Sequence, residues 1–505
     1  MSKNNLSVPF LWLTSIVLVS CSSEEIRKEP FPNDPSQRTV ALRFRIGTNA
    51  YTKAEEGNAV ENLILSFYNS NNGSPLFLQN AAATKEEDGI YVANIEINPL
   101  HEPDLVLAYI NIDEQTIFQN INSIQSLQID KLSSGNGSLI MTTPRYFDEE
   151  GNDIMFQSFD YLSSEPIRLE LERVASKVSV TADNIKTSPI TLKNLDGSDI
   201  SLSLNLTGWG LTATDKSSYL IRNIGSYNEM NSLFSDRYEW NNATSKTLSW
   251  AYSVSYGATP DVDELNFFKL SSDAKAFKED IYSFETTRPE DVSSDLNSKP
   301  SVVITGYYTQ GNNNSPSTFY KYSSYIINDD ELVGLFLNKL SKRLLINGQT
   351  PTKESLLSEF EIGKVEINDV NLPTAYVTLK AKASISLSKI TKANNEAFTN
   401  VAELNAYLYQ QCGVAEMFKN GKCYFTFPIE HYRKDNLILY GMVRNHLYNI
   451  TLNSISGMGS GIADENQILG EETDFDDTQN QYNISFSLSI RDWTEIEQNV
   501  NIEKK

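Results

Sequence analysis

The chain has 505 residues, with 42 Lys or Arg against 65 Asp or Glu, so its formal net charge is −23 at pH 7. That acidity argues against the basic surfaces that bind nucleic-acid phosphates or anionic lipid headgroups. Three His and three Cys are too few for most zinc modules. A hydrophobic fraction of 40% indicates a folded chain, and the length predicts about two to four domains.

Residues 1–20 form a predicted export signal. Lys3 supplies a positive charge, and Phe10–Val19 is apolar but too short to span a bilayer. The run ends in Leu18-Val19-Ser20-Cys21, which resembles the lipobox of bacterial lipoproteins. This resemblance implies cleavage before Cys21 and attachment of lipid (palmitate) to its thiol. The alternative is an ordinary signal peptide with an incidental Cys.

Residues 21–37 are predicted to form an acidic, Pro-containing tether. The motif Ser22-Ser23-Glu24-Glu25 resembles the surface-export signal of Bacteroidetes lipoproteins, although a solvated acidic linker has the same composition. Pro30, Pro32 and Pro35 favour an extended spacer. No later segment approaches the roughly 18 consecutive apolar residues of a membrane-spanning helix.

The body of the chain consists mainly of short segments with a period of two. The first is a strand at 39–46, in which Val40, Leu42, Phe44 and Ile46 alternate with Thr39, Ala41, Arg43 and Arg45. The strands predicted after it are Leu63–Tyr68, Gly89–Ile97, Leu105–Ile112, Pro166–Val180, Ile200–Trp209, Lys246–Val254, Ser301–Tyr308, Thr318–Ile326, Ala375–Leu379, Lys422–Phe427, Leu437–Tyr440, Tyr448–Ile455 and Tyr482–Ile490. Many short strands with close turn signals predict β-sandwich domains.

Two segments have helical periodicity. Asp329–Leu344 carries an apolar stripe, with Asp329 as its expected N-cap. Asn400–Tyr409 begins with the expected N-cap Asn400 and has Glu403 three residues later, which is the spacing of a capping box.

The sequence contains no recognised catalytic motif. His101, His431 and His446 are far apart, and no nucleophile elbow, zinc-protease motif or Walker loop occurs. Gly457–Gly461 is Gly-rich but no helix start follows it, which favours a flexible turn over a phosphate cradle. Glu471–Asp477 lacks the spaced ligands of a calcium loop. We therefore expect no enzyme activity, no cofactor and no metal site.

Cys412 and Cys423 flank a short segment that contains the turn signal Asn420-Gly421. Because exported proteins meet oxidising conditions, we predict a disulfide between them, which would contribute roughly 2–3 kcal/mol through loop entropy. The alternative is a pair of free, buried thiols.

Four stretches together resemble the Bacteroidales fimbrillin family, the subunits of type V pili. The last and most specific stretch is similar to the C-terminal domain of the minor-fimbria shaft type. The stretches are the lipoprotein start with strands 39–46 and 62–68, then Ile167–Val178, then Gly208–Leu211 with Lys216–Ile221, and finally Val443–Leu452 followed by an acidic loop, Ile484–Ile490, Trp493 and Asn499-Val500.

The resemblance implies a mainly all-β fold of two tandem β-sandwich domains, transthyretin-like or Greek-key, with a few short helices. An N-terminal fimbrillin domain would occupy residues 38–187. A C-terminal domain with terminal donor-type strands would occupy residues 188–505. The family's precursors reach the outer membrane as lipoproteins, and an arginine-specific protease cuts the loop after the first strand. A C-terminal strand of another subunit then fills the groove that the lost strand leaves.

The residues at both ends of the body agree with such an exchange. Loss of the first strand would leave an unpaired backbone and an apolar pocket, which an incoming strand could restore by β-augmentation. The candidate donor strand supplies about four apolar side chains, worth roughly 6–10 kcal/mol before ordering costs. An ordinary edge strand is the alternative. The donor residues are Tyr482, Ile484, Phe486, Leu488 and Ile490.

The loop after the first strand departs from the family pattern. It carries Lys53 where shaft subunits commonly have Arg, so Lys53 is the candidate maturation site, unless the chain stays uncut there as anchor subunits do. We expect a structural subunit of a surface fimbria that supports adhesion and has other fimbrial subunits as partners in a homo- or hetero-polymer. The alternative is a non-polymerising adhesin or glycan-binding lipoprotein.

Overall fold

The structure is a computed structural model. It describes residues 38–46, 59–71, 73–87, 90–97, 103–112, 117, 121–160, 166–187, 190–235, 245–246, 250–292, 298–311, 315–367, 372, 374–434, 436–469, 482–492 and 496–498. None of the helices within these ranges combines the length and the apolar character that crossing a membrane requires.

Short strands dominate the described chain, as the period-two pattern predicts. The first twelve are β1 (Arg38–Ile46), β2 (Leu63–Tyr68), β3 (Pro75–Ala81), β4 (Ala83–Glu87), β5 (Ile90–Ile97), β6 (Leu105–Ile110), β7 (Gln128–Ile129), β8 (Met141–Thr142), β9 (Tyr146–Asp148), β10 (Asp153–Ile154), β11 (Gln157–Ser158) and β12 (Ile167–Arg173). The next are β13 (Ala175–Thr181), β14 (Lys186–Thr187), β15 (Ile190–Lys193), β16 (Asp199–Thr212), β17 (Thr214–Asp215), β18 (Ser218–Tyr219), β19 (Ser245–Lys246), β20 (Leu265–Asn266), β21 (Asp280–Phe284), β22 (Thr286–Arg288), β23 (Ser301–Gln310), β24 (Phe319–Tyr322) and β25 (Tyr325–Ile327). The last are β26 (Leu344–Ile346), β27 (Phe360–Lys364), β28 (Tyr376–Ala381), β29 (Ile390–Lys392), β30 (Ala415–Phe418), β31 (Lys422–Pro428), β32 (Glu430–Lys434), β33 (Leu437–Met442), β34 (His446–Gly457), β35 (Ser460–Gly461), β36 (Tyr482–Asp492) and β37 (Ile496–Gln498).

The helices are few and short. They are α1 (Ile121–Gln125), α2 (Tyr227–Phe234), α3 (Asp329–Leu340), α4 (Lys353–Glu359) and α5 (Val401–Cys412), with 3₁₀ turns at Val262–Glu264, Leu387–Lys389 and Lys419–Gly421. The prediction of a mainly β fold with a few short helices is therefore confirmed. The predicted strand at 246–254 is wrong, because the described residues there form a strand only at Ser245–Lys246.

Both predicted helices are present, and their caps explain where they begin. The side chain of Asn400 accepts a hydrogen bond from the backbone N–H of Glu403 at 2.8 Å, as predicted for α5. Helix α3 is capped one residue earlier than predicted, by Asn328, which forms a reciprocal capping box with Glu331. It also ends at Leu340, four residues before the predicted end at Leu344, which lies in β26.

The N-terminal part of the chain forms a nine-stranded sheet, here called sheet I. Its order is β3-β2-β6-β8-β12-β1-β5-β4, and β11 pairs with β6. Buried side chains from β2, β5, β6 and β12 meet in one apolar cluster, including Leu65, Ile95, Val106 and Leu169. The two ends of the sheet therefore face each other across a shared core, as in a sandwich.

The C-terminal part contains two packed sheets. Sheet II has ten strands in the order β27-β28-β30-β24-β25-β15-β16-β23-β31-β35, and sheet III has the order β21-β13-β34-β36-β37, with β14 paired to β34. Val180 and Ile450 of sheet III pack with Trp209, Ile304 and other buried residues of sheet II. This cluster is the core of the second sandwich.

The helices α3, α4 and α5 cover one end of sheet II. Phe336, Leu356 and Leu404 are buried in a cluster with Phe360 and Leu379 of β27 and β28. This helical layer has its own core.

The chain crosses from sheet I to sheet III at a single residue. Strand β12 ends at Arg173, Val174 follows, and β13 begins at Ala175. Strand β12 is parallel to β1 in sheet I, whereas β13 is parallel to β34 in sheet III. The crossing therefore precedes residue 187, where we predicted the domain boundary.

The predicted disulfide between Cys412 and Cys423 needs correction, because both are free, buried thiols. Cys412 ends α5 and packs in the helical layer, whereas Cys423 lies in β31 within the sandwich core. A short sequence separation does not bring them together, since β30 and a 3₁₀ turn lie between the two cysteines along the chain. Burial raises the pKa of the Cys412 thiol to about 12 and that of Cys423 well above its ordinary value, so both thiols stay protonated.

Candidate functional site

Strand β1 lies inside sheet I rather than at its edge. On one side it is parallel to β12, and on the other side it is antiparallel to β5. Residues 42–46 pair with β12 and residues 38–45 pair with β5, so residues 42–45 have a strand partner on both sides. Without β1, two strands would face each other across a gap one strand wide, and each would have a row of unpaired N–H and C=O groups.

The register places the predicted apolar positions of β1 against buried residues. Because directly paired residues of neighbouring strands lie on the same face of a sheet, the identity of the partners shows which face is which. The pairs are Val40 with Ile95, Leu42 with Ala93, Phe44 with Leu169 and Ile46 with Leu171. All four partners are almost completely buried, so the strands beside β1 offer an apolar surface at these positions.

Two residues predicted to act on this end of the chain lie outside the described residues. They are the candidate lipidation residue Cys21 and the candidate cleavage residue Lys53. The described chain ends β1 at Ile46 and resumes at Ala59, before β2.

Strand β36 has a different environment from β1. It is antiparallel to β34 along its whole length, from Tyr482 to Asp492. Its second neighbour, β37, pairs only with residues 490–492. Among the described residues, the stretch from Tyr482 to Ser489 therefore has a strand partner on one side only and lies near the edge of sheet III.

The register of β36 also matches the predicted alternation. The pairs are Ile484 with Ile455, Phe486 with Leu452, Leu488 with Ile450, and Ile490 with Tyr448, and Tyr482 pairs with Gly457. The four β34 side chains in the first set are buried, and Ile484 packs against the sandwich core. Strand β36 therefore lies in the register that the period-two pattern predicts.

A β-bulge in β34 maintains this register. Leu452 and Ile455 are three residues apart, whereas their partners Phe486 and Ile484 are two residues apart. The extra residue lies between Leu452 and Ser454, where the pairing shifts. Without it, the buried face of β34 and the apolar positions of β36 would fall out of phase halfway along the pair.

The Gly-rich segment Gly457–Gly461 is fixed by hydrogen bonds rather than being a free turn. The Tyr308 hydroxyl donates to the carbonyls of Gly457 and Met458, at 3.2 and 3.1 Å. Gly459 has φ +63°, and a Cβ there would lie 2.6 Å from the carbonyl oxygen of Tyr424, so only glycine fits. This segment holds the end of β34 against sheet II.

The backbone remains attached to sheet II as far as Leu469. Its N–H donates to the carbonyl of Phe268 at 2.8 Å, and its own carbonyl accepts from the Thr212 hydroxyl at 3.3 Å. Residues 470–481 lie outside the described residues, and β36 begins at Tyr482. Leu469 is therefore the last described residue before β36, and it is attached to sheet II.

Glu416 is a buried carboxylate that no sequence motif marks. One oxygen, Oε1, accepts from the Gly461 N–H at 2.8 Å, while Lys321 Nζ lies 3.8 Å from Oε2. No hydrogen-bond donor reaches Oε2 from the described residues. Burial raises the pKa of this carboxyl, and the Gly461 N–H and Lys321 offset only part of the effect.

The structure brings two of the three histidines together, although sequence spacing did not indicate it. The rings of His431 and His446 are 5.5 Å apart, edge to face. His431 Nδ1 lies 2.7 Å from the Tyr448 hydroxyl, and His446 Nδ1 lies 2.7 Å from the carbonyl of Arg444. Both residues are buried in structural contacts, while His101 lies outside the described residues. Within the described ranges, no three His, Cys, Asp or Glu side chains are grouped to hold a metal ion.

Comparison with known proteins gives one sequence match. Residues 416–499 match the family model described as major fimbrial subunit protein type IV, fimbrillin, C-terminal. A search of curated proteins found no match. The matched segment begins at Glu416 and contains β31–β37. The predicted resemblance to the fimbrillin family is therefore confirmed over this part of the chain.

Solved structures of fimbrial proteins are similar at low identity. A fimbrilin from Porphyromonas gingivalis W83 is 11% identical, with a TM-score of 0.36 over 89% of this chain and 96% of that chain. The tip fimbrial protein Mfa3 from Porphyromonas gingivalis, with a C-terminal truncation, is 9% identical, with a TM-score of 0.35 over 90% of this chain and 99% of that chain. Likeness at this level supports no functional argument, so the family assignment depends on the match over residues 416–499.

Replacement of Glu416 by Gln tests the buried carboxylate. Because the folded protein holds this proton to a higher pH than the unfolded chain, the free energy of unfolding falls as pH rises from the ordinary carboxyl pKa to the raised one. Glu416→Gln removes this loss. At pH values above the raised pKa, its free energy of unfolding should exceed that of the wild type by about 1–3 kcal/mol, and below the ordinary carboxyl pKa the difference should be smaller. Urea unfolding between pH 4 and 8 measures the difference, and Glu361→Gln on the exposed face of β27 is the control. If the difference in free energy of unfolding between Glu416→Gln and the wild type does not change with pH, the raised pKa of Glu416 is contradicted.

Proposed function

We propose that this chain, whose residues 416–499 match the fimbrillin C-terminal family, is a structural subunit of a cell-surface fimbria that polymerises by strand exchange. The observation that carries the proposal is the position of β1, which is paired on both sides inside sheet I although it is the first strand of the described chain. A single cut after β1 would make this internal strand replaceable.

The gap left by β1 is suited to a strand of another copy. It presents two main-chain edges, one from β12 and one from β5. It also presents the buried residues Ala93, Ile95, Leu169 and Leu171 at alternate positions. A strand that alternates apolar and polar residues satisfies both requirements at once, which is the physical basis of β-augmentation.

Strand β36 fits the gap in length and pattern. It has eleven residues against nine in β1, and it places apolar residues at positions 484, 486, 488 and 490. In sheet III most of its length pairs with β34 alone, whereas the gap offers a partner on each side. Each added backbone hydrogen bond contributes about 0.5–1.5 kcal/mol net, which favours transfer into another copy.

The N-terminal segments determine how the subunit reaches the cell surface in this proposal. Export as a lipoprotein through Cys21 places the precursor on the outer membrane, and residues 21–37 hold the folded part away from it. Sheet I, which the chain leaves at Val174, receives the donor strand, and the C-terminal part of the chain supplies it. The role is structural and supports adhesion, with other fimbrial subunits as partners.

Cleavage at Lys53 should trigger assembly. We expect full-length protein treated with a lysine-specific protease to form filaments in electron micrographs and SDS-resistant ladders on gels, because the cut frees β1. The control is Lys53→Gln treated in the same way, which retains the other lysines and should remain monomeric. Monomers in both samples would favour the non-polymerising adhesin, and filaments in both would show that Lys53 is not the maturation site.

The alternation in β36 gives a second test. Leu488 is paired with the buried Ile450, whereas the neighbouring Ser489 is paired with the exposed Asn449. Leu488→Asp should reduce filament mass at least about tenfold after cleavage, since an unpaired carboxylate would have to enter the apolar gap. Ser489→Asp introduces the same charge on the other face and should assemble like the wild type. Equal assembly by the two variants would contradict β36 as the donor.

A further inference from the structure

A buried polar cluster surrounds the point where the chain crosses from sheet I to sheet III. Three of the four stretches that carry the family resemblance meet there, namely Ile167–Val178, Lys216–Ile221 and Val443–Leu452. The cluster, here called the crossing clamp, consists of Glu172, Arg173, Arg222, Glu285, Arg444 and Asn445, all of which are buried.

Arg444 is the centre of the crossing clamp. Its Nε lies 3.3 Å from Glu285 Oε2, and both side chains are fully buried. The far end of the guanidinium donates to the Leu220 carbonyl at 3.0 Å, to the Ser218 hydroxyl at 2.8 Å and to the Tyr219 carbonyl. Glu285 thus balances the charge while the guanidinium binds residues 218–220.

The segment bound by Arg444 is attached to the N-terminal part of the chain. Strand β18, Ser218–Tyr219, is antiparallel to β7, and the Leu220 N–H donates to the Leu127 carbonyl at 2.8 Å. Leu220 also packs with Ile64 and Tyr109 of sheet I. Arg444, which lies two residues before β34, therefore connects sheet III with elements packed on sheet I.

Asn445 binds the crossing strand on both sides of Val174. Its N–H donates to the Ala175 carbonyl at 2.8 Å. Its Oδ1 accepts from the Arg173 backbone N–H at 3.2 Å and from the Arg173 guanidinium at 3.4 Å. Asn445 has φ +58°, a left-handed conformation that Asn tolerates better than most residues.

A second ion pair lies on the sheet I side. Arg222 Nη2 is 2.5 Å from Oε2 of Glu172, a residue of β12. The apolar residues Val174, Leu220 and Phe284 fill the space around the crossing. Apolar packing alone tolerates sliding, whereas these directional bonds between buried charges fix one relative position of the two sheets.

We propose that the crossing clamp locks the two domains together, so that they open as one cooperative unit and tension applied across the subunit is borne by both. Separation of the domains would remove the partners of Arg444 and leave charges unpaired in an apolar surrounding, which opposes independent opening. The clamp is a property of the single folded chain. The result of a test of the clamp is therefore independent of whether subunits exchange strands.

Native-state hydrogen exchange on the uncleaved, full-length chain tests the lock. In the wild type, the slowest amides of β12 and of β34 should open together as denaturant increases. Asn445→Gly keeps the left-handed backbone but removes the side-chain bonds to Arg173. It should accelerate exchange in β12 relative to β34 about three- to tenfold. The matched control is Asn347→Gly, at an exposed residue with φ +52° far from the clamp, which should leave that ratio unchanged.

A double variant tests the central pair without leaving an unpaired buried charge. Arg444→Met with Glu285→Gln removes both charges at similar volume, a change that folded proteins commonly tolerate. The lock predicts that β12 and β34 then open at separate denaturant concentrations. Joint opening in the double variant, or the same exchange ratio in Asn445→Gly and Asn347→Gly, would overturn the proposal.

Discussion

The pairing of β1 with two neighbours is the interaction on which the proposed assembly depends. Strand β1 completes sheet I through main-chain hydrogen bonds to β12 and β5 and through apolar positions matched to buried partners. Neither kind of contact requires β1 to belong to the same chain, since any strand of the right pattern can make them. The sheet is therefore complete in the monomer, and in the proposed assembly a strand of another copy completes it again.

One run of chain connects this gap with the proposed donor. Strand β12 borders the gap, continues through Val174 into β13, and β13 is parallel to β34, which holds β36. The crossing clamp surrounds the middle of this run, while Tyr308 and Glu416 hold the segment after β34 on sheet II. The two strands that exchange in the proposal are thus joined by a connection that buried hydrogen bonds and ion pairs hold in place.

Local pattern was enough to predict some parts of the molecule from sequence. Alternation identified β1 and β36, and the Asn400–Glu403 spacing identified the start of α5, because these signals depend on neighbouring residues. The position of β1 between β12 and β5 could not be predicted, since strand order depends on contacts between distant residues. The disulfide prediction failed for the same reason, because Cys412 and Cys423 are close in sequence but belong to different layers. Arg444 and Glu416 carried no local signal of their buried partners.

The most direct measurement is a high-resolution structure of the assembled filament, grown from cleaved protein. The proposal predicts that residues 482–492 of one copy lie between β12 and β5 of the next, parallel to β12 and with positions 484, 486 and 488 on the face that Val40, Leu42 and Phe44 occupy in the monomer. A filament in which every copy retains its own β1 between β12 and β5 would contradict strand exchange as the basis of assembly.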